Sequence, residues 1–183
     1  MYQRILVPLD GSKQAESALR LASKLARISN AEITLLRVVE YPMEMYERCG
    51  SNTLAYASPF DEKLQMEKDA FCKEAEAYLK LLASIVEMTV SKVSIEVQEC
   101  PVVDAILNTT KKSEIDLIVM SAVGQGHNPW MIGAVANRLL RESPVPVVLI
   151  GKEPHALVPD HPRQQGASNQ NEAMLQPSTL FYR

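Results

Sequence analysis

The chain has 183 residues and a formal net charge of −3, which suits one ordinary domain with a substantial core and a remainder. Aliphatic residues far outnumber aromatic ones, a balance that fits buried parallel strands under helices better than an all-β sandwich. No basic block appears, so nucleic-acid binding is set aside, and no run approaches the roughly 18–20 apolar residues of a membrane span.

The amino terminus enters a strand at once, without the charged, apolar and cleavage regions of a signal peptide, so a soluble cytosolic protein is expected. Cys49, Cys72 and Cys100 are odd in number and far apart. With no C-x-x-C pair and no clustered histidines, neither a disulfide framework nor a metal site is expected.

Residues 4–8 are a short apolar strand, and Pro8 cannot donate a ladder bond, so the strand is expected to end there. Asp10 then projects from its carboxyl end. Ser12 is a good N-cap, and Ala15, Ala18, Leu19, Ala22, Leu25 and Ala26 recur at helical spacing. Asn30 marks the exit, and residues 32–39 read as the second strand, completing a right-handed βαβ unit. Periodicity fails from Glu40 to Asp61, a segment carrying Tyr41, Met43, Met45, Tyr46, Tyr56 and Phe60, which is either a lid or partner surface or a loop packed by its own aromatics.

Leu64, Phe71, Ala75, Tyr78, Leu82 and Ile85 predict a long amphipathic helix through about Met88. Residues 93–97 alternate as a half-buried strand, and Pro101 opens a short helix with Val103, Ile106, Leu107 and Thr110 on one face. Asp116 through Met120 is a strand buried on both faces. A glycine loop follows, then a helix lined by Ile132, Val135, Ala136, Leu139 and Leu140, and a last strand, Val145 to Ile150. Pro146 confines that strand to an edge or to a late start. Lys152 to Arg183 has no periodic apolar face and reads as a Pro/Gln-rich, mostly disordered tail, with a weak candidate docking segment at Leu180-Phe181-Tyr182.

Strands alternating with helices imply a doubly wound, mainly parallel α/β sheet. Ligands in such sheets lie beyond the carboxyl ends of the strands, where strand order reverses. Asp10 and the loop Ser121-Ala122-Val123-Gly124-Gln125-Gly126-His127 both follow strand carboxyl ends. If the first and fourth strands are neighbours, Asp10 can accept hydrogen bonds from ribose hydroxyls. Main-chain amides around Gly124, Gly126 and Gly133 can then hold phosphates. The alternative is that Asp10 only caps the first helix and the glycines only turn the chain.

Several blocks together resemble the universal stress protein family: Ile-Leu-Val-Pro-Leu-Asp-Gly-Ser at 5–12, the alanine-rich first helix, Leu-Leu-Arg-Val-Val at 35–39, Asp-Ala-Ile-Leu at 104–107, Asp-Leu-Ile-Val-Met-Ser-Ala at 116–122 and Pro-Val-Pro-Val at 144–147. The resemblance covers residues 1–151. It implies a five-stranded parallel sheet of order 3-2-1-4-5 with helices on both faces, and a homodimer joined through the last strand, Val145 to Ile150. It also implies an adenine nucleotide site. Pro8, Leu9 and Asp10 match the adenosine side and Val38 the contact to adenine. Ser121, Gly124, Gly126, His127, Gly133, Ala134 and Val135 occupy the phosphate side.

Members that bind ATP carry G-x2-G-x9-G-S/T in this loop. Here Ser121 stands at the first glycine, the spacing from Gly124 to Gly133 is one residue shorter, and Ala134 replaces the hydroxyl residue. The missing hydroxyl removes a phosphate hydrogen bond worth about 1–2 kcal/mol. AMP or an adenine dinucleotide therefore strains the site less than ATP, and Mg2+ is implied only if a triphosphate binds.

No P-loop lysine or metal carboxylate accompanies the loop, so at most slow ATP hydrolysis is expected and no catalytic residue is assigned. His127 has no nucleophile or partner base near it in sequence, and Trp130 reads as a packing residue more than a stacking platform. Two functions stay open. One is a nucleotide-responsive regulatory module acting on an unidentified protein partner. The other is a nucleotide-free dimeric scaffold whose cleft is filled by side chains such as Val123 or Trp130.

Overall fold

The computed structural model describes residues 1–41, 62–123 and 132–151, with side chains in the middle block from Gln65 onward. The aromatic segment beyond Tyr41, Cys49, the Leu64 side chain, the loop residues Gly124, Gly126, His127 and Trp130, and the 152–183 tail lie outside the described residues. In chain order come β1 (Arg4–Leu9), α1 (Lys13–Ser29), β2 (Glu32–Val38), α2 (Glu62–Glu87) and β3 (Val93–Gln98). They are followed by α3 (Val102–Lys112), β4 (Leu117–Ser121), α4 (Ala134–Glu142) and β5 (Val147–Ile150).

The strands make one parallel sheet in the order β3-β2-β1-β4-β5. The central strand β1 pairs with β2 along its whole length, from Arg4↔Glu32 to Leu9↔Arg37. With β4 it pairs only at Ile5↔Leu117 and Leu6↔Ile118. Pro8 supplies the reason. The Gln3 carbonyl accepts from Glu32 on the β2 side and the Arg4 carbonyl from Asp116 on the β4 side. Main-chain groups alternate along a strand, so those of Pro8 face β4, where the proline has no N–H to donate. The expectation that the strand ends at Pro8 is corrected: it continues to Leu9 and loses only its second neighbour.

The fourth strand starts one residue later than expected, because Asp116 serves the start of β1 instead. Its Oδ2 accepts from the Gln3 N–H at 2.7 Å and its Oδ1 from the Arg4 N–H at 3.2 Å. At the sheet edge, β5 begins directly after Pro146, whose carbonyl still accepts from the Ile118 N–H at 3.0 Å.

Helices cover both faces. Ala15, Ala18, Ala22 and Ala26 of α1 pack with Leu79, Leu82 and Val86 of α2 on Ile5, Val7, Ile33, Leu35 and Val119. The small alanine side chains let α1 lie close to the strands. Its ends are fixed locally: the Ser12 Oγ accepts from the Ala15 N–H at 3.1 Å, and Asn30 takes the left-handed conformation at φ 55°. On the other face, Val103 and Ile106 of α3 and Ala136 and Leu139 of α4 meet Leu6, Leu36, Ile118 and Met120.

Two apolar stripes differ from expectation. On α2 the buried positions are Ala75, Leu79, Leu82, Ala83 and Val86, whereas Ile85 is 56% exposed. Leu79 sets the centre of the stripe, and Ile85 lies about 100° around the helix from Val86. Phe71 reaches the surface and meets the Tyr41 ring edge-on at 5.9 Å. On α4, Ala136 and Leu139 are buried, but Leu140 is turned outward and Ile132 precedes the helix.

Candidate functional site

Beyond Leu6 and Ile118 the two central strands no longer pair, and a cleft of about 410 Å3 lies at their carboxyl ends. This is the switch point of the sheet, since the chain turns to opposite faces after β1 and β4. Pro8, Leu9, Asp10 and Val38 line it from the β1–β2 side, and Ser121, Gly133, Ala134 and Val135 from the β4–α4 side. The structure thus brings together eight of the residues named from the sequence. Gly124, Gly126 and His127 lie outside the described residues. Val123, described and part-exposed, is not among the lining residues.

Asp10 is held by its own turn. Its Oδ1 accepts from the Ser12 N–H at 2.9 Å across Gly11, which takes φ +83°. The bond that caps α1 comes from Ser12, so capping does not explain the carboxylate. Val39 donates to Gln98 on the β3 side and Ala122 to Ile150 on the β5 side. By alternation, the main-chain polar groups of Val38 and Ser121 turn toward the cleft side of their strands.

The phosphate side needs one correction. The Gly133 N–H donates to the Ala122 carbonyl at 2.8 Å and is already engaged. Gly133 is the N-cap of α4 and contributes no side-chain cap bond. The amides without an intrahelical acceptor are therefore those of Ala134, Val135 and Ala136, all lining the cleft. No acidic residue stands in the first turn of this helix, so its positive dipole end is not neutralised locally.

The structure adds residues that the sequence argument missed, among them Arg37, Glu40, Val102 and Ile106. Arg37 Nη1 donates to the Leu9 carbonyl at 3.2 Å, and its Cζ lies 6.0 Å from the centroid of the Tyr78 ring. The Tyr78 hydroxyl donates to Glu16 Oε1 at 3.2 Å. Burial, with Glu16 adding to it, raises the Tyr78 pKa well above that of an ordinary phenol. The available signal was a single charge, Arg37, at the end of the apolar run Ile33 to Val38.

A second polar cluster joins the end of β2 to α2 and β3. The Tyr41 hydroxyl donates to Glu99 Oε2 at 2.6 Å, and the Cys72 thiol to Glu99 Oε1 at 3.3 Å. These two bonds hold the Glu99 carboxyl below its usual range. Burial pushes the Cys72 thiol upward, the opposite of what an activated nucleophile requires. Among the described residues no group of three or more His, Cys, Asp or Glu is arranged to hold a metal ion, and no helix is long and apolar enough to cross a membrane.

The universal stress protein family model matches residues 1–151, and the chain belongs to that family. Universal stress protein MJ0531 of Methanocaldococcus jannaschii is 24% identical over 153 residues, covering 83% of this chain and 84% of that protein. Among solved structures, universal stress protein UspA from Lactobacillus plantarum superposes with a TM-score of 0.65 at 27% identity, covering 81% of this chain and 97% of that one. A universal stress protein solved in complex with cAMP shares the fold at a TM-score of 0.52 and 20% identity, covering 82% and 97%.

Proposed function

We propose that residues 1–151 form a regulatory module that binds an adenine nucleotide in the switch-point cleft, with residues 152–183 as an appended tail. The observation that carries this reading is that Asp10 and the first amides of α4 line one cleft across the parted strands. A carboxylate there suits ribose hydroxyls, and three consecutive helix-start amides suit phosphate oxygens. The cAMP complex of a structural neighbour supports the same ligand class.

Within that class the lining favours a short phosphate chain. Ala134 offers no hydroxyl and the Gly133 amide is engaged, so AMP or a related compound is held with less loss than ATP. Mg2+ enters only with a triphosphate. The protein acts by population shift, the ligand favouring one arrangement of a surface that a partner reads. A second copy of the chain pairs through the last strand, Val145 to Ile150, whose β5 portion is the half-buried edge of the sheet.

Isothermal titration calorimetry with AMP, ATP and a cyclic adenine dinucleotide tests the reading. Wild-type protein is expected to bind AMP, and Asp10→Ala to weaken it about tenfold through loss of a charged acceptor. Absence of heat with every ligand at millimolar concentration would leave the nucleotide-free scaffold as the function, a reading that the engaged Gly133 amide favours.

A further inference from the structure

The cleft contains a full positive charge that the glycine loop motif does not supply. Among the described lining residues Arg37 is the one cation, in a lining that also holds Asp10 and Glu40. Arg37 is opposite Leu9 in the β1–β2 register and bonds its carbonyl at 3.2 Å. Its guanidinium packs over Gly11, where a Cβ would meet Nη1 at 3.5 Å and Nη2 at 3.6 Å. The Tyr78 ring, 6.0 Å from Cζ, supports it from α2. Contacts with the β1 carboxyl end, the Gly11 turn and α2 therefore fix the planar group beside the residue that follows Asp10.

We infer that Arg37 reads the charge of a phosphate ester on the ribose of the bound nucleotide, making the cleft selective for adenosine monophosphates over the uncharged nucleoside. The inference rests on the nucleotide reading above. Two features suit Arg37 to this role. Asp10, assigned to the ribose hydroxyls, precedes the glycine on which the guanidinium packs. In addition, a guanidinium carries five N–H donors in a fixed fork, of which the Leu9 carbonyl takes one. The remaining donors can meet phosphate oxygens at little entropic cost, because the side chain is already ordered. The amides of α4 line the same cleft and add partial positive charges to the full charge of Arg37.

The test is calorimetry on the full chain with adenosine, AMP and cAMP, comparing wild type, Arg37→Gln and Arg37→Lys, with circular dichroism to check folding. Arg37→Gln is expected to weaken at least one monophosphate about tenfold or more, the loss expected for a charge-assisted hydrogen bond, and to leave adenosine within about threefold of wild type. Arg37→Lys keeps the charge without the fork and is expected to fall between. Comparing the AMP and cAMP losses shows whether the 5′-linked or the cyclic ester is read. If Arg37→Gln does not fold, salt dependence of the wild type decides: monophosphate binding is expected to weaken with salt and adenosine binding not to. Equal losses for adenosine and both monophosphates, or equal salt dependence, overturn the inference and leave nucleotide binding standing. If wild type binds none of the three and no other adenine nucleotide, the nucleotide reading falls and this inference with it.

Discussion

Pro8 sits in the centre of a parallel sheet, where a missing N–H usually argues against a strand. Here the defect falls on one side only. The β2 ladder passes through Pro8↔Leu36, while pairing with β4 has ended two residues earlier. Pro8→Ala restores a donor on the β4 side. The added bond is worth about 0.5–1.5 kcal/mol, and the loss of proline's restriction on the unfolded chain offsets about 0.4–1 kcal/mol of it. Stability measured by denaturant unfolding is expected to change by less than about 1 kcal/mol, while AMP affinity falls as the strands draw together. An unchanged affinity would show that the opening has another cause. Gly133 and Arg37 carry the complementary lesson. One seemed a donor and is already bonded, and the other read as a strand residue and stands in the cleft.

The helix α2 departs from the apolar stripe its sequence suggests. Its outward Ile85 and inward Leu79 share one sequence pattern, and only the approach of β2 and β3 decides which stripe is covered. Tyr78 bridges this helix to α1 through Glu16 and to β2 through Arg37. Its phenol stays protonated in the folded chain at pH values where the unfolded chain ionises, because its pKa is raised by burial. Its contribution to stability is therefore complete below about pH 10, the ordinary tyrosine value, and is lost as pH rises above it. Tyr41, raised by the same cause, acts in the same direction. Urea unfolding from pH 8 to 11 should show a shallower alkaline decline for Tyr78→Phe than for wild type. Parallel declines would mean that other groups control the alkaline limb.

For the molecule as a whole, the order β3-β2-β1-β4-β5 leaves β3 and β5 as edges. Residues Val147 to Ile150 are apolar and half-buried, a pattern that invites pairing with a second edge. Val148→Lys places a charge on that strand and is expected to shift the chain from dimer to monomer in sedimentation velocity, with little change in AMP binding by the monomer. A wild type that sediments as a monomer would remove the proposed assembly. The same strand order makes β1 and β4 neighbours, so that Asp10 and Ser121, more than a hundred residues apart in the chain, line one cleft.

The sequence by itself determined the elements and the ends that a local signal marks, because periodicity, the Ser12 cap, the Asn30 exit and Pro146 act over a few residues and need no distant partner. It also placed Asp10 and Ser121 at strand carboxyl ends, and the resemblance supplied the order that makes their strands adjacent. Tertiary structure alone decided that Pro8 parts the central strands without ending β1, that Gly133 spends its amide on Ala122, and that Arg37 lies over Gly11. Each of these depends on which group meets which across the sheet. Such pairings are set by long-range register, which a local pattern of residues does not contain.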